Sequence, residues 1–297
     1  MNSKKRSCHI DIAAGIMIIY MVFIHICQKF GFDNTSLWSI MQHCFGFCMP
    51  YFFFKGGMFY REKKICFIFR DSIHRLLKPY FVWMTIGIII LFAIRWMQGT
   101  TISFGEIIKG TIYGCIVGES VSGNLPLWFL LTLFGVRIMF AVCLYLKIPS
   151  KIIPFGCFFI AWGLNVGNYR LPIIIANTFT GTMFYGIGYI LQTKQYGIIQ
   201  SLVAVCLFGF INIFCYTYVG IRKNILIEGY YVLWPIFATS GIILLNNLCL
   251  CMEKVSRKHD KYKYIRLLSF LGRHTMPIYV SHWPIINIIK ATFGYSI

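Results

Sequence analysis

The stretch IDIAAGIMIIYMVFIH at residues 10–25 contains one acidic side chain, Asp11, one histidine, His25, and no Lys or Arg. A basic start, residues 4–6, precedes it, and no clear small-x-small cleavage site follows. An apolar run of about 20 residues is long enough to cross the hydrocarbon core of a bilayer as an α-helix. We therefore predict that this segment is a membrane helix that is kept in the mature protein.

Similar apolar segments recur along the whole chain. Of its 297 residues, 58% are hydrophobic and 12% are charged, whereas soluble domains carry about 25% charged residues. Because lipid cannot satisfy an exposed backbone, every span must be helical. The spans lie near residues 10–30, 38–60, 79–97, 125–146, 152–168, 172–192, 197–216, 230–252 and 275–293. We predict an all-α, polytopic transmembrane helix bundle of about nine to ten membrane helices, forming a single membrane-embedded domain over residues 1–297.

The distribution of Lys and Arg predicts the orientation. With the N-terminus in the cytoplasm, the inner segments hold nineteen Lys and Arg residues and the outer segments hold seven. This asymmetry is the positive-inside pattern of multi-pass proteins, and it indicates an inner or plasma cell membrane. The Gly-rich segment 104–118 contains Glu106 and Lys109, so we expect it at the interface or as a re-entrant segment.

Several functional classes are excluded by the same residues. The net charge of +19 lies in short blocks between apolar runs without a nucleic-acid-binding motif, so the expected partner is the lipid bilayer and no nucleic acid. The twelve cysteines include no CxxC pair, and the chain has no HExxH, GxSxG or P-loop motif. We expect no metal site, and neither a serine hydrolase nor an ATPase.

Ionisable groups inside predicted spans are costly and need a structural or functional reason. The candidates are Asp11, His25, His43, Lys55, Arg137 and His282. Asp11 could cap the first helix, and Lys55 could extend its ammonium to the inner surface. Arg137, near the middle of its span, needs a partner or a wet cavity. Each histidine has a structural alternative, as a hydrogen-bonded residue within the bundle.

Several ordered motifs together resemble acyltransferase family 3, the integral-membrane O-acyltransferases. They are the helix at 10–25 that ends in histidine, FCMPYFFFKGGMF at 47–59, HRLLKPYFVW at 74–83, LPLWFLLTLF at 125–134 and LGRHTMPIYVSHWPI at 271–285. The resemblance implies transfer of an acyl group, commonly acetyl, from a coenzyme A thioester to a hydroxyl of a sugar or cell-envelope glycan. Acetyl-CoA would be a donor substrate and not a permanently bound cofactor.

The resemblance also implies roles for particular residues. His25 matches the essential histidine of the family and is the expected base, a task suited to its pKa. Arg75 and Lys78 match the basic stretch that would bind the donor phosphates, and Arg70 could assist. Alternatively, these three residues could serve only to orient the protein in the membrane, as cytoplasmic Lys and Arg residues do. His282 matches the late histidine or polar position of the family.

The chain departs from the family pattern at three places. Ala14 stands where the family usually has Lys or Arg, eleven residues before the histidine, and Cys48 and Gly56 replace a histidine and a serine of the second helix. By comparison with the family we also expect a final helix to be absent. We expect Lys55 to supply the missing cation beside Asp11. The alternatives are a transporter or flippase of a lipid-linked glycan, and a catalytically inactive family member.

Overall fold

A computed structural model describes residues 8–100, 103–117, 120–166, 172–192, 198–215, 231–259 and 262–293. Within these ranges most residues are helical and none belongs to a β-strand. This confirms the predicted all-α class. The basic residues Lys4, Lys5 and Arg6 lie outside the described ranges, and the cytoplasmic N-terminus stays a prediction.

The described chain contains thirteen α-helices, two of which continue into a π-helical turn, and one 3₁₀ turn. They are α1 (Cys8–Phe30), α2 (Ser36–Phe45), α3 (Cys48–Met58), α4 (Ile65–Ser72) with a π-helical turn (Ile73–Leu77), α5 (Lys78–Met97), α6 (Phe104–Val117), a 3₁₀ turn (Leu125–Leu127), α7 (Trp128–Tyr145), α8 (Ile152–Val166), α9 (Ile173–Leu191), α10 (Ile198–Phe210) with a π-helical turn (Ile211–Cys215), α11 (Leu233–His259), α12 (Tyr262–Arg273) and α13 (Thr275–Thr292).

Five described segments are long and apolar enough to cross a membrane. They are Cys8–Phe30, Ile65–Met97, Leu125–Tyr145, Ile174–Leu191 and Leu233–Ser256. Two shorter apolar helices cover Ile152–Leu164 and Ile199–Cys215. The protein is therefore a polytopic helical membrane protein, while the total of nine to ten spans stays a prediction.

The span expected at residues 38–60 is divided into two helices. Thr35 begins α2, its hydroxyl accepting a hydrogen bond from the Trp38 backbone N–H at 3.2 Å. Pro50 lies in the first turn of α3 and has no N–H with which to bind the carbonyl of Gly46 four residues earlier. The helical hydrogen-bond ladder is interrupted there, and α2 ends at Phe45.

The span expected at residues 79–97 begins much earlier, because the helical segment already starts at Ile65. A π-helical turn covers Ile73–Leu77, and Pro79 follows it after one residue, Lys78. Pro79 has no N–H for the carbonyl of Arg75, and its ring needs room on that side of the helix. The wider π turn provides this room, so the basic stretch is part of a helix.

The sequence did not predict helix α12, whose residues were assigned to an inner loop. Its buried side Ile265, Ser269 and Gly272 recurs at every third or fourth position, whereas Arg266 and Phe270 are exposed. This spacing forms one packed stripe on an amphipathic helix. The helix is too short and too basic to appear as a span by hydropathy.

The described residues group into two compact units. The first contains Met1–Phe52, Lys194–Gly220 and Val232–Tyr279, and the second contains Phe53–Thr193, Ile221–Tyr231 and Val280–Ile297. Helices α1, α2, α10, α11 and α12 belong to the first unit, and α4 to α9 belong to the second. Helices α3 and α13 each contribute residues to both units.

In the first unit, α1 and α12 approach each other backbone to backbone. A Cβ added at Gly272 would lie 1.7 Å from the carbonyl oxygen of Asp11, and one at Gly15 would lie 2.1 Å from that of Leu268. Small residues allow such close packing between membrane helices, where hydrophobic attraction does not help. These two glycines therefore determine the position of α12 on α1.

In the second unit, α3 and α9 also pack closely through glycines. A Cβ at Gly57 would lie 1.8 Å from the carbonyl oxygen of Tyr185, and one at Gly188 would lie 2.0 Å from that of Phe54. Phe54 and Phe184 are fully buried beside this contact. The aromatic run at 51–54 thus contributes to helix packing.

Replacing Gly272 by alanine should destabilise the first unit, because the new methyl group has no room against the backbone of α1. Overpacking of this kind costs about 1–3 kcal/mol, so the thermal unfolding midpoint in detergent should fall by several degrees. Gly209→Ala is the matched control, since a Cβ on this helical glycine meets nothing within 4 Å. The control should be neutral or slightly stabilising; equal midpoints for the two variants would contradict the packing argument.

Candidate active site

His25 lies in the second half of α1 and is half-buried. Fourteen residues separate it from Asp11, which corresponds to about 21 Å along the helix axis. The two groups therefore cannot act on the same proton. If His25 is the base, Asp11 must have another role.

Asp11 is 1% exposed and forms an ion pair with Arg273 of α12, whose Nε lies 3.2 Å from Oδ2. Asp11 also lies in the first turn of α1, where the helix dipole favours an acid. Burying a carboxylate is costly unless it is paired. The guanidinium of Arg273, itself half-exposed, is the partner that the structure gives to this buried carboxyl group. Ala14, one turn later on α1, is fully buried.

His43 lies near the C-terminal end of α2 and is half-buried. Its Nδ1 is 2.8 Å from the carbonyl oxygen of Ser39, one turn earlier. A carbonyl can only accept, so Nδ1 carries the hydrogen in this contact, and Nε2 is the nitrogen left to accept a proton. This bond to its own helix fits the structural alternative for His43.

A groove of about 330 Å³ lies between α1 and α2 in the first unit. It is lined by Ile16, Ile19, Tyr20, Phe23, Leu37, Met41 and Phe45. The lining surface is apolar, and the Tyr20 hydroxyl is engaged with Oε1 of Gln42 at 3.2 Å. The groove suits a hydrocarbon chain but supplies no group for proton transfer.

The three residues assigned to the donor phosphates lie on one helical segment of the second unit. Arg70 is in α4, Arg75 is in the π turn, and Lys78 begins α5. All three are exposed. The structure thus presents them together on the segment Ile65–Met97, within two to three turns of one another.

Asp71 forms ion pairs with two arginines, Arg75 and Arg137. Its Oδ1 lies 2.7 Å from Nε of Arg75, and its Oδ2 lies 2.8 Å from Nη2 of Arg137. Arg137 on α7 is only 20% exposed, whereas Arg75 is 74% exposed. The partner that Arg137 was expected to need is therefore Asp71, one turn before Arg75.

An aromatic cluster lies beside α7 in the second unit. Tyr60 makes edge-to-face contacts with Phe140, Tyr185 and Tyr189, at centroid distances of 5.2–5.9 Å. The hydroxyl of Tyr189 donates to Oε1 of Glu62 at 2.6 Å. This cluster packs the chain just after α3 against α7 and α9.

The two remaining candidates also belong to the second unit. Lys55 is half-buried on α3, and His282 is 4% exposed on α13. The side chain of His282 is therefore enclosed within the fold and not open to solvent. The proposed pairing of Lys55 with Asp11 stays a prediction.

The acyltransferase 3 family model, described as an acyltransferase domain, matches residues 9–297. The match covers nearly the whole chain, including α1 with His25, the Arg75 segment and α13 with His282. The chain belongs to the acyltransferase 3 family. Neither a comparison with curated proteins nor one with solved structures found a match.

In this acyltransferase, the loop before α7 is hydrogen-bonded to a helix that contains an internal proline. Pro284 lies inside α13 and has no N–H for the carbonyl of Val280 four residues earlier. The amide of Asn124, fully buried, donates to that carbonyl at 3.0 Å. Asn287 donates to the carbonyl of Gly123 at 3.4 Å. The Asn124 loop therefore supplies the donor that the proline removes next to His282.

Sequence reasoning missed three residues of these sites in the acyltransferase. Asp71 was overlooked because it lies within a basic stretch, and Arg273 was counted only as an inner-loop cation. Asn124 precedes the motif at 125–134. It carries no charge, so a search for charged residues within the spans does not find it. A proline inside a predicted span was the available signal, because it requires a substitute donor nearby.

Asn124→Leu should destabilise the acyltransferase, because the carbonyl of Val280 then loses the donor that replaces the proline. A hydrogen bond between membrane helices contributes about 0.6–2 kcal/mol, which thermal unfolding in detergent resolves. Pro284→Ala restores a backbone N–H at that carbonyl. The loss caused by Asn124→Leu should therefore be smaller in the Pro284→Ala background. Equal losses in both backgrounds would show that the bond to Val280 is not the stabilising contact.

Proposed function

We propose that this acyltransferase transfers an acyl group, acetyl in the simplest case, from a coenzyme A thioester to a hydroxyl of a sugar or cell-envelope glycan. Family membership over residues 9–297 carries the assignment to acyl transfer. The exposed cations of the segment Ile65–Met97 support an anionic donor. The charge distribution predicts Arg70, Arg75 and Lys78, at the start of this segment, on the cytoplasmic side, where coenzyme A thioesters are made.

The reaction requires a hydroxyl oxygen to attack the thioester carbonyl carbon. The new C–O bond forms, the C–S bond breaks, and the hydroxyl proton must reach a base before it returns to the leaving thiolate. His25 is the proposed base, because a histidine side chain can take up and release a proton near neutral pH and because His25 matches the essential histidine of the family. His282, enclosed on α13, is a second candidate for a role near the reacting groups.

The donor carries several phosphates, which need cationic partners. Arg75, Lys78 and Arg70 are the proposed phosphate ligands, since guanidinium groups bind phosphate through paired N–H donors and ammonium groups through charge. All three are exposed on one helical segment. Their exposure allows a large nucleotide to approach without rearrangement of the helices.

The proposed acceptor is a glycan hydroxyl. The apolar groove between α1 and α2 supports an acceptor or donor that carries a hydrocarbon chain, such as a lipid-linked sugar. Transport of such a lipid without chemistry is the competing function. It is disfavoured by the family match, and a transporter would not consume the thioester.

His25→Ala should abolish label transfer from radiolabelled acetyl-CoA to envelope glycans in membranes that contain the protein. Loss of a general base lowers rates by about 10²–10⁴-fold, so we expect at least a hundredfold decrease. The measurement is label in the glycan fraction and free coenzyme A released. His274→Ala is the matched control, because this exposed histidine binds the carbonyl of Phe270 within its own chain segment. Undiminished transfer by His25→Ala would refute the role of His25, and no transfer by the wild type would refute the acyl-transfer proposal.

A further inference from the structure

The carboxylate of Asp71 binds two guanidinium groups, one on each oxygen. A single cation would be enough to neutralise it. Arg137 alone supplies that cation, and since it is largely buried it also needs Asp71 for its own stability. The pair of Asp71 and Arg137 is therefore neutral, and the charge of Arg75 remains uncompensated within this group of three.

The geometry at Arg75 leaves one edge of its guanidinium directed away from Asp71. Asp71 accepts a hydrogen bond from the Nε–H group of Arg75. The edge formed by the two terminal amino groups, Nη1 and Nη2, lies at the far end of the guanidinium from Nε. That edge is the part of arginine that binds a phosphate through two parallel hydrogen bonds. The side chain is 74% exposed, which leaves this edge accessible to a ligand.

The backbone at Arg75 is unusual as well. Arg75 lies inside the π-helical turn Ile73–Leu77, and such turns within α-helices frequently occur at functional sites. Asp71 precedes this turn and Pro79 follows it. The carboxylate thus ties the side chain of Arg75 back to the regular helix α4 and restricts its rotation.

We propose that Asp71 and Arg137 are positioning residues that hold Arg75 with its two terminal amino groups toward a phosphate of the coenzyme A donor. Arg137 fixes the carboxylate from α7, and the carboxylate fixes the guanidinium. This inference rests on the proposed function, because it names the residues that organise the proposed donor site. It predicts that Asp71 affects phosphate-bearing donors selectively.

The test compares two donors in the full chain reconstituted in nanodiscs: acetyl-CoA, and S-acetylpantetheine, which carries no phosphate. For Asp71→Asn we expect about a tenfold rise in KM for acetyl-CoA with kcat within twofold. The kcat/KM for S-acetylpantetheine should stay within twofold of wild type. Arg75→Ala should show the same selective rise in KM for acetyl-CoA. The double variant Asp71→Asn with Arg75→Ala should have the same KM for acetyl-CoA as Arg75→Ala alone.

Two further variants keep the experiment informative. Asp71→Glu retains the carboxylate and should recover part of the acetyl-CoA affinity. If Asp71→Asn does not fold because Arg137 is left buried and unpaired, Asp71→Asn combined with Arg137→Met removes that charge and should show the same rise in KM. Glu62→Gln is the control, since this carboxylate binds Tyr189 in the same unit, and its KM for acetyl-CoA should be unchanged.

Each outcome decides between distinct conclusions. A loss of activity shared equally by both donors would show that Asp71 has only a structural role and would overturn the inference. An unchanged KM for acetyl-CoA in Asp71→Asn would overturn it too. A wild-type protein that uses neither donor would instead refute the proposed function. Selective loss with acetyl-CoA, partly restored by Asp71→Glu, supports the positioning role.

Discussion

In a lipid environment, each backbone carbonyl of a helix must find a donor within the protein, and three prolines of the described chain lie where a regular helical hydrogen bond is missing. Pro50 interrupts the ladder at the start of α3, where α2 ends. Pro79 follows the π turn that contains Arg75. Pro284 leaves the carbonyl of Val280 to the amide of Asn124. Two of the functional candidates, Arg75 and His282, thus lie next to such an interruption.

Much of the helical architecture could be predicted, because length and apolar character alone decide whether a segment can cross a membrane. The parts that could not be predicted depend on neighbours distant in sequence. Helix α12 is short and basic, and it is recognisable mainly through its glycine contact with α1. The π turn at Ile73–Leu77 follows from a single proline whose effect could equally have been a kink.

In the candidate site, too, some residues could be predicted from the sequence and their partners could not. The sequence identified Asp11 and Arg137 because a buried charge must be explained, but it identified neither partner. Asp71 and Arg137 are 66 residues apart, and Asp11 and Arg273 are 262 residues apart. Pairs this distant form through tertiary packing and leave no periodic signal. The roles of His25 and Arg75 came from the family resemblance, since no spacing of residues indicates them.

Acidic residues are scarce in this protein, which limits how its cations can be neutralised. The chain has nine Asp and Glu residues against 28 Lys and Arg residues, so most cations have no carboxylate available. Carboxylates in the described helices are accordingly placed where a largely buried cation or a helix start requires them, as Asp71 and Asp11 show. The remaining cations must be compensated by anions from outside the chain. Lipid phosphates can serve those at the bilayer surface, whereas a guanidinium already oriented by a carboxylate, as at Arg75, suits a specific phosphate ligand better than a fluid lipid headgroup.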